Sequence, residues 1–205
     1  MKSIQFDDED ARALNSAVVA ASTRLLEQGA PRRSAVETAV EDFSGGYAGL
    51  FTEAAKVEMG HRVRPAQAME GLAGAAIFAV YKAQEERKRQ EDLAAWQERQ
   101  KAREAWHSLG GLTGFATDFV GVFDAQPSEY PVVCPPVSAS FAARPRHRVA
   151  SGGAGAGKSS ADPEKLREFV SQAGGANHAL EQELGSVQKA WGQFRSSCSW
   201  PPVVS

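Results

Sequence analysis

The stretch Glu41-Asp42-Phe43-Ser44-Gly45-Gly46-Tyr47 constrains this chain more than any other, because it separates two long runs of helical periodicity and carries paired glycines. Glycine adopts left-handed backbone conformations at little steric cost, which is how many helices stop. Phe43 stands two residues before Gly45 and sets a large aromatic ring beside the reversal. The stretch reads as a tight link between two antiparallel helices.

The run before the link begins with Asp7, Asp8, Glu9 and Asp10, acids that suit the positive end of a helix dipole. Leu14, Val18, Ala21 and Leu25 follow at spacings of four, three and four, which places them on one helical face. Gly29-Ala30-Pro31 predicts a break, since proline lacks the amide donor and crowds the preceding turn. The pattern resumes at Val36, Val40 and Phe43. After the link, Leu50, Ala54, Val57 and His61 share a face, and Met69, Leu72, Ala76 and Val80 form a second run beyond Pro65. Pro65 is expected to bend or split this arm, with His61 packed beside the bend.

From Lys82 to Glu104 the composition turns to Glu, Arg, Lys and Gln, with Leu93 and Trp96 interspersed and Trp106 following. Pairs such as Glu85 and Arg89 at four-residue spacing support an exposed helix, and the alternation of both charge signs favours a solvated face over a nucleic-acid surface. Residues 107–125 read as a short helical segment carrying Phe115, Phe119 and Phe123. Residues 126–160, rich in proline and then glycine, read as an extended and then flexible linker in which Val132, Val133 and Val137 could dock on a helix. Asp162-Pro163-Glu164 is a helix start: an N-cap acid, proline at the first helical position and an acid beside it. The expected fold class is all-α. It comprises an elongated antiparallel hairpin with a charged helical extension over 1–106, the short segment and linker, and a second, incomplete helical unit over 161–205.

Hydrophobic residues make up 42% of the 205 and lean on alanine, which suits helices lying close together. A net charge of -2 gives no whole-chain reason to expect nucleic acid or an anionic membrane as partner. The acidic start lacks the pattern of a secretory signal peptide, and no stretch approaches the roughly 20 apolar residues of a membrane span. The expectation is a protein made soluble in the cytoplasm, without stable membrane insertion, whose export would need another signal. Cys134 and Cys198 allow at most one disulfide, and sequence leaves paired and free states equally open.

Gly152-Gly153-Ala154-Gly155-Ala156-Gly157-Lys158-Ser159 satisfies the phosphate-loop pattern G-x-x-x-x-G-K-S. A working loop follows a buried strand and opens a helix. The preceding Ala143-Arg144-Pro145-Arg146-His147-Arg148-Val149-Ala150 cannot be a core strand, so the match reads as a product of glycine-rich sequence. His61, His107, His147 and His178 show no metal-ligand spacing, and no serine, cysteine or threonine has a nucleophile context. No catalytic residue, metal or cofactor is expected.

Phe43-Ser44-Gly45 at the reversal and Tyr81-Lys82-Ala83-Gln84-Glu85 near the end of the second apolar run resemble the WXG proteins, helical hairpins exported by type VII (ESX) secretion. In that family a W-x-G turn joins two helices, and a Y-x-x-x-D/E signal lies at or after the end of the second. Phenylalanine replaces the family's tryptophan here. Asp42-Phe43-Ser44-Gly45, Ala94-Ala95-Trp96-Gln97-Glu98-Arg99 and Ser159-Ser160-Ala161-Asp162-Pro163-Glu164-Lys165-Leu166 together resemble N-terminal export regions of actinobacterial polymorphic toxins. The resemblance implies an export and partner-binding module without the toxin domain, secreted or held at the cell surface.

On that reading Phe43, Ser44, Gly45 and Gly46 form the turn, and Tyr81 and Glu85 are read by the secretion ATPase. Leu14, Val18, Val36, Leu50, Val57, Leu72 and Val80 would bury against each other and against a small WXG-type helical partner, or a second copy. The alternatives are a cytoplasmic coiled-coil scaffold and, less favoured, a P-loop nucleotide-binding protein.

Overall fold

A computed structural model describes residues 4–108, 125–138, 158 and 160–200. The chain is all-α, with helices α1 (Asp8–Glu27), α2 (Gly29–Val40), α3 (Gly46–Ser108) and α4 (Pro163–Ser197). Among the described residues the β structure is a single isolated bridge between Ser44 and Ser160.

α1 starts where Asp7 can cap it, its carboxylate accepting from the amides of Glu9 at 2.8 Å and Asp10 at 3.1 Å. The predicted break falls at Gln28, the single residue between α1 and α2. Pro31 lies inside the first turn of α2, where amides have no intrahelical partner to lose. α1 and α2 therefore form one bent arm. Gly45 then takes φ 89°, the left-handed backbone that lets the chain reverse into α3. Gly45→Ala would place a Cβ in that conformation and is expected to cost about 1 to 2 kcal/mol. A chemical-denaturation midpoint measures it.

α3 returns antiparallel to the arm. Ser22 near the end of α1 donates to the Ala66 carbonyl, while Asp8 at its start meets Arg87 at 2.8 Å. Ala11, Leu14, Val18 and Ala21 of α1 and Leu72, Ala73, Ala76, Ala79, Val80 and Ala83 of α3 are buried, and the small side chains allow close approach of the two helices. This is the helical hairpin read from the sequence.

Pro65 does not split the second arm: α3 runs unbroken for 63 residues. Proline inside a helix costs about 3 kcal/mol or more. That cost is opposed by the packing around it, with Ala66 buried and bound through its carbonyl to Ser22, and Arg62 tied to Glu58 and Gln28. His61 is exposed instead of packed beside Pro65, and Arg62 takes the inward position. The charged stretch 82–104 continues the same helix.

α4 is the helix whose place periodicity left open. Asp162 caps it through the Glu164 amide at 2.8 Å, with Pro163 at its start. It does not stand apart as a separate unit but lies along the arm, antiparallel to α1 and α2. Its beginning is fastened at the hairpin turn by paired backbone hydrogen bonds between Ser44 and Ser160 (2.9 and 3.3 Å) and by Lys165, which meets Glu41 and Asp42. Its middle meets the arm through Gln28, which donates to the Ala176 carbonyl at 2.9 Å, and through Arg32 and Asn177. Its end inserts Ala190, Phe194 and the capping Cys198 into the core formed by α1, α3 and Phe6. No helix among the described residues is long and apolar enough to cross a membrane.

Candidate functional site

The reversal is a packed corner and not a free loop. Phe43 is half-buried, its ring 6.1 Å from Phe51, and Phe51 meets Phe169 of α4 edge-on at 5.1 Å. Ser44 is held in the bridge to Ser160, and its hydroxyl lies 2.9 Å from the Ser160 hydroxyl. Two neighbouring acids hold the Lys165 ammonium in its charged form, raising its pKa through Asp42 first and Glu41 second. The corner anchors the far end of the bundle.

Tyr81 and Glu85 stand at the other end. Four residues apart, they share one face of α3. Tyr81 is 65% exposed, and the Glu85 side chain is 57% exposed. Lys82 reaches Glu85 at 2.7 Å and also lies 5.7 Å from the Phe78 ring centre, so it spans the two. The pair sits within α3 and not at its end, because the helix continues to Ser108.

The seven residues expected at the hairpin and partner interface divide in two. Leu14, Val18, Leu72 and Val80 are in the core, and Val36 is buried at 9% exposure. Leu50 and Val57 are only half-buried, on the part of α3 nearest the turn. Apolar periodicity identified the face but not how much of it the chain itself covers.

A buried carboxylate that sequence reasoning passed over lies one residue beyond Glu85. Glu86 is 2% exposed on the inward side of α3. It accepts from Arg89 at 2.6 and 2.7 Å, from Gln90 at 2.7 Å and from the Val132 amide at 2.9 Å. Arg89 in turn donates to the Ser128 carbonyl at 2.9 Å. Together they pin the non-helical segment 125–138 against α3, and that segment delivers Val137 to the core at 1% exposure. The Arg89 hydrogen bonds, with smaller contributions from Val132 and Gln90, outweigh desolvation and lower the Glu86 pKa to about 2. The signal available in sequence was position: Ala79, Ala83, Glu86 and Leu93 continue one helical stripe, and Glu86 is the polar member.

Cys134 and Cys198 are free thiols. Cys198 lies in the core, where its sulfur accepts from the Asp7 amide at 3.3 Å, and Cys134 packs against the same cluster. Burial raises both thiol pKa values, so neither is activated as a nucleophile.

A second, partly buried polar group joins three helices. Arg32 of α2 meets Glu58 of α3 and Asn177 of α4, and Arg62 shares Glu58 and reaches Gln28. Desolvation, then the neighbouring Arg62, lower the Arg32 pKa against the opposing pull of Glu58. Shallow clefts flank this junction, one of about 210 Å³ lined by Val36, Phe51, Met59 and Phe169 among others. Among the described residues no three His, Cys, Asp or Glu side chains converge as metal ligands. The phosphate-loop match at 152–159 and the helical segment expected at 107–125 lie largely outside the described residues; of that match Lys158 is described and exposed.

Compared with family models, curated proteins and solved structures, the chain matches none.

Proposed function

We propose that the chain belongs to the class of helical hairpins that serve as recognition modules, acting through displayed side chains and not through a reaction. Within that class we propose an export and partner-binding module of a type VII secreted effector, of the WXG-like kind. One observation carries the reading: Tyr81 and Glu85 are both exposed, one turn apart on one face of α3, while the glycine reversal stands at the opposite end of the same hairpin. A tyrosine and an acid at fixed separation on a rigid helix form a readable signal with little ordering cost. The secretion ATPase is the reader. A small WXG-type partner, or a second copy, docks on faces outside the internal core, since Leu14, Val18, Leu72 and Val80 are already engaged.

Tyr81→Ala tests this in the native host. An exposed substitution leaves the fold intact, and loss of an aromatic anchor is expected to lower the exported fraction roughly tenfold or more. Export at the wild-type level would remove Tyr81 from the signal. A cytoplasmic coiled-coil scaffold is the second reading, favoured by the length of α3, about 95 Å at 1.5 Å per residue. It predicts no export of either protein.

A further inference from the structure

Arg32 stands at the junction of α2, α3 and α4 with its charge incompletely met. Its Nη1 reaches Glu58 only at 3.5 Å, and its Nη2 donates to the Asn177 side chain. The same Glu58 oxygen accepts from Arg62, through Nε at 2.7 Å and through Nη2. Two guanidiniums therefore share one carboxylate, and the group carries one positive charge in excess. The Arg32 side chain is only 13% exposed, and among the described residues its Nε is a buried donor with no hydrogen-bond partner. Buried donors nearly always meet an acceptor, so an unpaired one on a half-matched cation points to an anion as the missing partner.

Arg32 also lines the cleft of about 210 Å³, and apart from Arg32 and Glu58 the walls of that cleft are apolar. Val36 comes from α2, Phe51, Ala55 and Met59 from α3, and Phe169 from α4, its ring edge-on to Phe51 at 5.1 Å. We propose that this cleft binds a small monocarboxylate with an apolar body. The carboxylate pairs with Arg32, whose planar guanidinium suits that group better than a point charge would. The body lies among Phe51, Met59 and Phe169. The cleft is smaller than the roughly 300–1,000 Å³ of sites for drug-sized molecules, so the body is about one ring. The site stands apart from Tyr81 and Glu85 and does not rest on the export reading. Since three helices supply its walls, the bound acid fastens α4 to the hairpin.

Calorimetric titration of the full chain with 3-phenylpropionate tests the site. So small a ligand is expected to bind with a Kd of about 1 mM and to raise the unfolding temperature as its concentration rises. Acetate, which lacks the ring, and 3-phenylpropionamide, which lacks the charge, are each expected to bind at least about tenfold more weakly. Arg32→Gln is expected to weaken 3-phenylpropionate by the same factor. Ala55→Leu gives an independent arm that leaves the polar group untouched: it fills the cleft, exchanges one strong helix former for another and is expected to abolish binding in a folded protein. Circular dichroism checks both folds, and Ala55→Leu decides if Arg32→Gln loses helix. No saturable binding up to about 10 mM, equal binding of the amide, or unchanged binding by folded Ala55→Leu would overturn the proposal.

Discussion

Phe194→Ala is expected to lower stability by about 3 to 5 kcal/mol, the range for truncating a fully buried aromatic. Phe194 has 0% exposure and stands at the centre of an aromatic group, its ring 6.1 Å from Phe6 in an edge-on contact and 6.0 Å from Trp191. It is the largest fully buried side chain among the described residues, and it joins α4 to the start of α1. A domain of this size is stable by only about 5 to 15 kcal/mol, so the loss is a large share of the total. Phe194→Leu keeps much of the volume and is expected to cost less than about 1.5 kcal/mol. Urea denaturation followed by circular dichroism measures both variants, and hydrogen exchange shows whether the α4 amides lose protection first. A loss below about 1 kcal/mol for Phe194→Ala would mean that α4 is not anchored through this ring.

Glu86→Ala carries the second large effect. Removing a carboxylate that accepts four hydrogen bonds leaves buried donors unpaired, and the expected cost is about 3 kcal/mol. The Val132 amide loses its acceptor and Arg89 loses its charge partner, so residues 125–138 should be released from α3 along with Val137. The proton linkage follows from the lowered pKa. The folded-state value of about 2 lies below the ordinary 4.5, so the ionised form stabilises the fold above about pH 4.5. That contribution is lost as pH falls through the window from about 4.5 to 2, and its upper bound is about 3 kcal/mol. The wild-type protein should lose stability over that window more steeply than Glu86→Gln. Parallel curves for the two proteins would place the acid sensitivity elsewhere.

Much of the hairpin was legible because its determinants are local. The spacing of Leu14, Val18 and Ala21 marked the buried face of α1, and glycine at 45 marked the reversal. Asp162-Pro163 marked the start of α4. Features set by distant neighbours were not legible. Pro65 sits in an unbroken helix because Ala66 packs on Ser22, a contact made only after the chain reverses. Arg62 takes the inward position where His61 was expected, since Glu58 and Gln28 wait to pair with it. α4 shows a clear apolar period, but a period says which face is buried and not against what. Its seat depends on Phe6 and Phe194 meeting across nearly the full length of the chain.

Of the candidate site, the residue types at Tyr81 and Glu85 could be singled out from sequence, whereas their exposure could not. Tyr81 lies next to buried Val80, and Glu85 next to buried Glu86. A step of one residue along α3, about 100° of rotation, separates each displayed side chain from its hidden neighbour. One acid faces outward beside the tyrosine, and the next clamps 125–138.

Export through type VII secretion, as proposed above, is tested by following this chain in its native host with and without the secretion ATPase. The chain is expected in the culture filtrate or on the surface of the intact host, and retained inside cells that lack the ATPase. Equal amounts outside both strains, or none outside either, would contradict it.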